Sequence, residues 1–558
     1  MNRQPSTRDG AEAAAAASLV FLATPGVAGY LLDNLGFSFA PGMLLGLTLL
    51  TSATTLGWLG RTAVWRGSTL TMWGGVVALV FGWLVWIARP DFVPLGTGTD
   101  LTHHLQLIRF IEDRWHLPHD VIDGDFLGEM LVYTPASHIL VAAAGRWIGL
   151  DGTRVLHGVL ALVAALEAGL VLLIARRLLP ARVPPVLALL APIGLFAMPA
   201  YVLGPFIDFS FVAQVVAGLF AVAMWWRLMV WQDEHDIASM VLFAIAGVAT
   251  FLSWPILIGP PLVALGLVMV FDGRTTIAAR ARHAAVAMAP MVAVAAVYAW
   301  HRTQFLRIAG AAGEATGPAV AVFGWPLLLF AAIGCGLVLR SKRRAVVWLV
   351  VGIAAQSVAL YVFATSNNNQ PYMALKTLYL LAYPMSVLAA IALGRLWQMV
   401  VSSRPAGMGE RGWIPQLAAW VLVIAAGWMV GRPLVAAPKI LRMRPPAVSL
   451  PLYEAGTWVR THLPPACVEY LVGNDNRAYW LHLGVLGNRR LSARSANPQS
   501  FEPQDALVRW LSPGSLPYAI AELPALPRGI REDFDIVQSF GTAAVVRHRS
   551  PAPCNAAP

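Results

Sequence analysis

Apolar runs of about 20 residues recur along this chain from Ala14 to Ala436, and each is long enough to cross a bilayer as a helix. No other feature restricts the fold as strongly. Inside hydrocarbon the backbone must satisfy its own polar groups, which leaves helices as the spanning element for runs of this length. Composition agrees: of 558 residues 58% are hydrophobic and 12% charged, with a mean hydropathy of +0.64. A soluble chain carries about twice that charged fraction. The 21 tryptophans suit the aromatic belts of polytopic proteins.

The spacing predicts about thirteen spans, near 14–32, 41–59, 69–88, 154–175, 183–203, 208–230, 238–255, 256–272, 283–300, 318–339, 345–364, 376–400 and 414–436. The run 238–272 is expected to break at "SWPILIGPP", where proline and glycine favour a turn. The first run lacks a small-x-small exit and reads as an anchor. The net charge of +11 is placed topologically, which argues against a nucleic-acid partner. Arg61, Arg66, Arg176, Arg177, Arg182, Arg274, Arg280, Arg282, Arg340, Lys342, Arg343 and Arg344 all stand in short connections. The positive-inside rule then puts the N-terminus in the cytoplasm and the tail outside, provided that 133–150 does not cross.

From Pro445 to Pro558 the long apolar runs stop. Charges and turn residues replace them, and the length suits a small domain. "PLYEAGTWVRTHL" reads as a helix, "CVEYLV" and "TAAVVRH" as strands. The expected fold class is therefore an all-α polytopic membrane protein with a small α/β extracytoplasmic C-terminal domain. The boundaries are 1–436 for the transmembrane part, including an outer loop at 89–153, and 445–558 for the tail. Cys467 and Cys554 both fall in that tail, where an oxidising compartment favours pairing; Cys335 lies within a span.

The outer loop carries the chemistry. In "TDLTHHLQLIRFIEDRW" the residues Leu101, Leu105, Ile108 and Ile111 fall on one helical face, so an amphipathic helix lying along the membrane surface is expected. Asp100 opens it and is suited to act as an N-cap. It is also four residues from His104, close enough for a carboxylate and an imidazole to share a face as a general base. His138 stands on an otherwise apolar helix, either structural or in contact with substrate. Lys376, with Tyr372, follows the polar turn "TSNNNQP" at the mouth of a late span, placed either to snorkel or to hold an anion. Arg302 and Arg307 are further phosphate ligands or solvated loop charges. The acidic run Asp120, Asp123, Asp125 and Glu129 misses the calcium-loop spacing and reads as a solvated loop. P-loop, Gly-x-Ser-x-Gly, zinc and dinucleotide patterns are not found in the sequence.

As an ensemble these elements resemble the GT-C superfamily of membrane glycosyltransferases. The matching residues are Asp100 in the first large outer loop, "DLTHHLQLIRFI" as a D-x-x-x-H-L helix, "YTPASHILVAAA" with a Tyr-Pro-x-x-His flavour, and "QPYMALKTLYLLAYPMSVLAA" as a Tyr…Lys element. The resemblance spans roughly residues 69–470 in order and topology. It implies a multi-pass protein of the bacterial cytoplasmic membrane that moves a sugar from a polyprenyl-phosphate donor to a glycan, glycolipid or protein acceptor. The transfer would be inverting, with Asp100 as base, His104 beside it, and His103, His138, Tyr372, Lys376, Arg302 and Arg307 binding substrate. Many members carry paired acidic residues where Asp100 is followed by Leu101; a divalent cation is the one cofactor the pattern admits. Two other classes remain open: a transporter or flippase of lipid-linked saccharides, and an assembly protein binding through its tail. Transporters place ionisable groups near mid-bilayer, where this chain offers only Glu167 and Asp208.

Overall fold

A computed structural model describes residues 8–88, 100–119, 127–198, 212–301, 323–340, 344–402, 446–488, 500–527, 529–530 and 534–550, with scattered positions between 417 and 428. Among these, eight helical segments are long and apolar enough to cross a membrane. They comprise α1 (Gly10–Asn34), α2 (Pro41–Gly60), α3 (Gly67–Ala88), α6 (Gly152–Leu178), α8 (Val212–Glu234), α11 (Ile277–His301), α13 (Ala345–Ser366) and the run Tyr372–Ser402. That last run is built from α14 (Tyr372–Leu378) and α15 (Ala382–Ser402). Shorter apolar helices occupy four other expected spans: α7 (Leu190–Ala197), α9 (Ile237–Ser253), α10 (Gly259–Phe271) and α12 (Trp325–Leu339). The run 414–436 lies largely outside the described residues, as does Asp208.

The break at "SWPILIGPP" falls where proline chemistry puts it. Helix α9 stops at Ser253, Pro255–Ile258 form a 3₁₀ turn, and α10 starts at Gly259 with Pro260 and Pro261 in its first turn. Proline lacks the N–H that a continuing helix needs, but it fits the first turn of a new one. Helix α5 (Ala136–Ile148), in the stretch expected not to cross, is 13 residues long. That is about 20 Å, short of the roughly 30 Å hydrocarbon core.

Helix α8 is apolar on all sides and wholly buried, with Trp225, Trp226 and Trp231 closed off from solvent. Such a helix belongs at the centre of a bundle. By contrast α2 and α3 turn most of their surface outward, with Leu50 64% and Leu79 75% exposed, as lipid-facing helices do. Glu167, in mid-span on α6, takes a hydrogen bond of 2.8 Å from the Tyr383 hydroxyl on α15.

The bundle has two chemically distinct ends. At one, Arg177 meets Asp233 at 2.9 Å, Glu12 at 2.9 Å and Glu234 at 3.1 Å. Beside them β1 (Arg8–Asp9) pairs in parallel with β2 (Ala63–Val64). At the other end stand α4 (Asp100–Arg114), α5, α14 and the C-terminal segment. That segment comprises α16 (Leu450–His462), α17 (Asp475–Trp480), α18 (Pro503–Leu511) and a sheet ordered β3-β4-β6-β5. Its strands are β3 (Val468–Leu471), β4 (Tyr518–Glu522), β5 (Phe534–Phe540) and β6 (Ala543–His548); β3 and β4 run parallel, the other pairs antiparallel. Cys467 is disulfide-bonded and Cys335 is a free thiol; the remaining cysteine, Cys554, lies outside the described residues.

One expectation needs correcting. Helix α4 does bury Leu101, Leu105, Ile108 and Ile111, but its polar face is not left to solvent. Gln106 is fully buried and donates to the Asn488 carbonyl at 2.9 Å. Leu105 packs on Gly484, and Arg460 pairs with Asp113 at 2.5 Å. The C-terminal segment covers the polar face, which the periodicity of α4 alone could not reveal.

Candidate active site

The site is built on the first turns of α4 and α5 and on α14. Asp100 is the first residue of α4, as expected of a helix opener; its side chain lies outside the described residues, as do Arg302 and Arg307. One turn on, His104 is buried, and its Nδ1 lies 2.8 Å from Nε2 of His138 on α5. The two rings stack with centroids 5.1 Å apart. Tyr133 meets both edge-on, at 5.2 Å from His104 and 5.6 Å from His138.

This pair has a definite proton order. His138 also hydrogen-bonds the Thr134 backbone; because its Nε2 faces His104, we assign that bond to Nδ1, which then carries the hydrogen. Its Nε2 is then an acceptor, so His104 donates from Nδ1 and keeps a bare lone pair on Nε2. Burial enforces neutrality. It brings His104 down to about 3, helped by the neighbouring charges of His103 and Lys376, and holds His138 well below the usual histidine range. A neutral, directionally fixed imidazole accepts a hydrogen bond or proton from whatever faces Nε2.

The peptide carrying these residues is tied to the bundle. Thr134 donates its hydroxyl to the Ser253 carbonyl at 2.7 Å, and Tyr298 donates to the Val132 carbonyl at 2.7 Å. The same corner of α9 presents Trp254 to Lys376. The Lys376 ammonium lies 4.3 Å from the Tyr372 ring centroid and 5.2 Å from that of Trp254. Residue Lys376 is buried, so it is not snorkelling to solvent. A cation held on aromatic faces away from water keeps a strong field for an incoming anion.

His103 points the other way. Its Nδ1 is 2.8 Å from Glu129 and its Nε2 2.8 Å from the Tyr479 hydroxyl of α17. It joins the turn at Glu129 to the C-terminal segment. Glu129, expected as part of a solvated loop, is half exposed and paired at the same time.

The fold thus gathers His104, His138, Lys376 and Tyr372 at one end of the bundle, while His103 sits at the adjoining seam. Sequence reasoning passed over Tyr133, Trp254 and Tyr479, and read Glu129 only as part of a solvated loop. Tyr133 and Trp254 stood inside quoted motifs, and aromatics flanking a histidine or a lysine were the available signal. Tyr479 offered none, since 376 residues separate it from His103. Among the described residues no three His, Cys, Asp or Glu side chains converge as a metal site.

No family model matches this chain, and no curated protein matches it either. Among solved structures, the chain is similar to the apo form of ArnT from Cupriavidus metallidurans: identity is 15%, 87% of this chain and 99% of that one are covered, and the TM-score is 0.49. It is also similar to the oligosaccharyltransferase of Archaeoglobus fulgidus. The complex with zinc and sulfate gives 14% identity, 86% and 74% coverage and a TM-score of 0.48; the apo form gives 15%, 77% and 61%, and 0.43.

Proposed function

We propose that this protein is a GT-C-type membrane glycosyltransferase that moves a sugar from a polyprenyl-phosphate donor to an acceptor hydroxyl. The supporting observation is the meeting of a neutral histidine relay and a buried lysine at one end of an apolar bundle, beside the helix that Asp100 opens. A lipid-borne phosphate arrives at that level of a bilayer, and the Lys376 ammonium is suited to receive it.

In this reading the acceptor oxygen attacks the anomeric carbon while Asp100 takes its proton. The new glycosidic C–O bond forms on one face as the bond to the phosphate oxygen breaks on the other. The polyprenyl phosphate leaves with the bonding electrons, which Lys376 stabilises. In this reading the donor hydrogen of His104 is committed to His138. The His104 Nε2 accepts a hydrogen bond from a sugar or acceptor hydroxyl. Arg302 and Arg307 are offered as further phosphate ligands, and the segment 445–558 as an outer domain shaping acceptor access.

The test is transfer by purified protein supplied with a panel of polyprenyl-phosphate hexoses and pentoses and glycan acceptors. Asp100→Asn keeps the size of the side chain but cannot take the proton; it should fold and lose about 100-fold or more in turnover. Lys376→Ala should mainly weaken donor binding. Near-normal transfer by folded Asp100→Asn protein overturns the assignment of the base. Movement of the intact lipid-linked sugar across a vesicle membrane without transfer would favour the transporter reading.

A further inference from the structure

At the end of the bundle away from the candidate site, a cleft of about 280 Å³ opens between the last turn of α8, the end of α10 and the start of α13. Connectivity places it there. Helix α13 runs from this cleft towards α14 and Lys376, and its 22 residues span about 33 Å. Six residues carry the argument: Gln232, Asp272, Gly273, Arg274, Arg344 and Trp348.

The carboxylate here is already committed. Asp272 takes His235 Nε2 at 2.8 Å and Arg274 Nε at 3.1 Å, and Thr275 donates to it at 3.4 Å. Arg274 spends its other arm on the Gln232 carbonyl at 2.5 Å, and Arg280 caps the end of α10 by donating to the Met269 carbonyl at 2.6 Å. These cations and this anion close on one another.

Two donors do not. Arg344 lines the cleft with no ion pair or hydrogen bond in the described structure. Gln232 faces the cleft, is only 7% exposed, and its side-chain amide makes no hydrogen bond. As a lining residue it can offer its amide N–H to a group bound in the cleft. A guanidinium without a partner among the described residues and an unpaired amide lining one hollow can together receive an anion such as phosphate. The stacked rings of Phe271 and Trp348, 5.4 Å apart, add an apolar wall, and Phe271 is 62% exposed on the outward side.

We propose that this cleft binds a phosphate group, carried either by an anionic lipid headgroup or by a soluble phosphate ester. It is separate from the candidate active site and does not depend on the glycosyltransferase reading.

The test is binding to the delipidated full chain in detergent, by native mass spectrometry and thermophoresis. The probes are dioctanoyl phosphatidic acid, glycerol 3-phosphate and uncharged dioctanoylglycerol. The wild-type protein should bind a phosphate-bearing probe, inorganic phosphate should compete, and dioctanoylglycerol should not bind. Arg344→Gln should weaken binding by at least about tenfold, and Gln232→Leu by less. Arg61→Gln, an exposed cation at the same end but outside the cleft, should change nothing. Binding of phosphatidic acid alone identifies a lipid headgroup, and equal binding of glycerol 3-phosphate a soluble ester. The proposal is overturned if neither phosphate probe binds, if Arg61→Gln weakens binding as much as Arg344→Gln, or if Arg344→Gln binds normally. Should Arg344→Gln fail to fold, Gln232→Leu and phosphate competition on the wild-type protein decide the same question.

Discussion

The two halves of α4 handle titratable groups in opposite ways. Near its start, His104 and His138 are buried, held neutral and bonded to each other. Near its end the polar groups are tied to one another instead. Arg109 meets Glu112 at 3.0 Å and Asp151 at 3.8 Å, Gly152 N donates to Glu112 at 2.5 Å, and Tyr453 donates to Asp151. The first arrangement leaves hydrogen-bonding capacity unspent at the cost of desolvation. The second spends nearly all of it joining α4, the start of α6 and α16 of the C-terminal segment. One helix thereby separates chemistry from anchorage, and its two halves should respond differently to mutation.

The largest effect is expected in the anchoring half. Arg109→Met strands Glu112 and Asp151 without their cation and should cost about 3 kcal/mol of stability, the typical penalty for breaking a buried pair. Thermal unfolding in detergent and protease sensitivity at the junction with α16 would read it. A variant as stable as wild type would dissolve the contrast between the halves.

The histidine half should behave in the reverse manner. His138→Phe keeps the ring stack but frees His104 to take either tautomer, so turnover should fall by about tenfold while stability moves less than in Arg109→Met. Transfer kinetics beside the same melting experiment provide the check. Loss of stability with unchanged turnover per folded molecule would mean that both halves are structural.

The smallest effect is a pH slope. Burial raises Glu112 to about 7 despite Arg109 and the Gly152 amide, so the folded chain holds this proton more tightly than the unfolded one. Its contribution is complete below the ordinary carboxyl range and is lost as pH rises through about 7. Stability should therefore decline between about pH 4.5 and 7, and Glu112→Gln should flatten that decline. An unchanged slope in the variant would assign the titration to another group.

Much of this architecture was legible along the chain because it rests on local rules. Runs of apolar residues longer than a bilayer needs become helices whatever surrounds them, and Pro255, Pro260 and Pro261 divide α9 from α10 through their missing donors. The strands at Val468–Leu471 and Ala543–His548 and the helix at Leu450–His462 follow from the period of their side chains. The residue types Asp100, His104, His138 and Lys376 stood out because ionisable groups are costly in so apolar a chain.

Their partners were another matter. That His104 bonds His138, that Lys376 rests on Trp254 as well as Tyr372, and that His103 reaches Tyr479 are facts of packing between elements far apart in sequence. Periodicity reports which face of a helix is polar but not what covers it. Only the tertiary structure decided that the polar face of α4 meets the C-terminal segment, because the hydrogen bonds that make this burial tolerable come from the other chain segment.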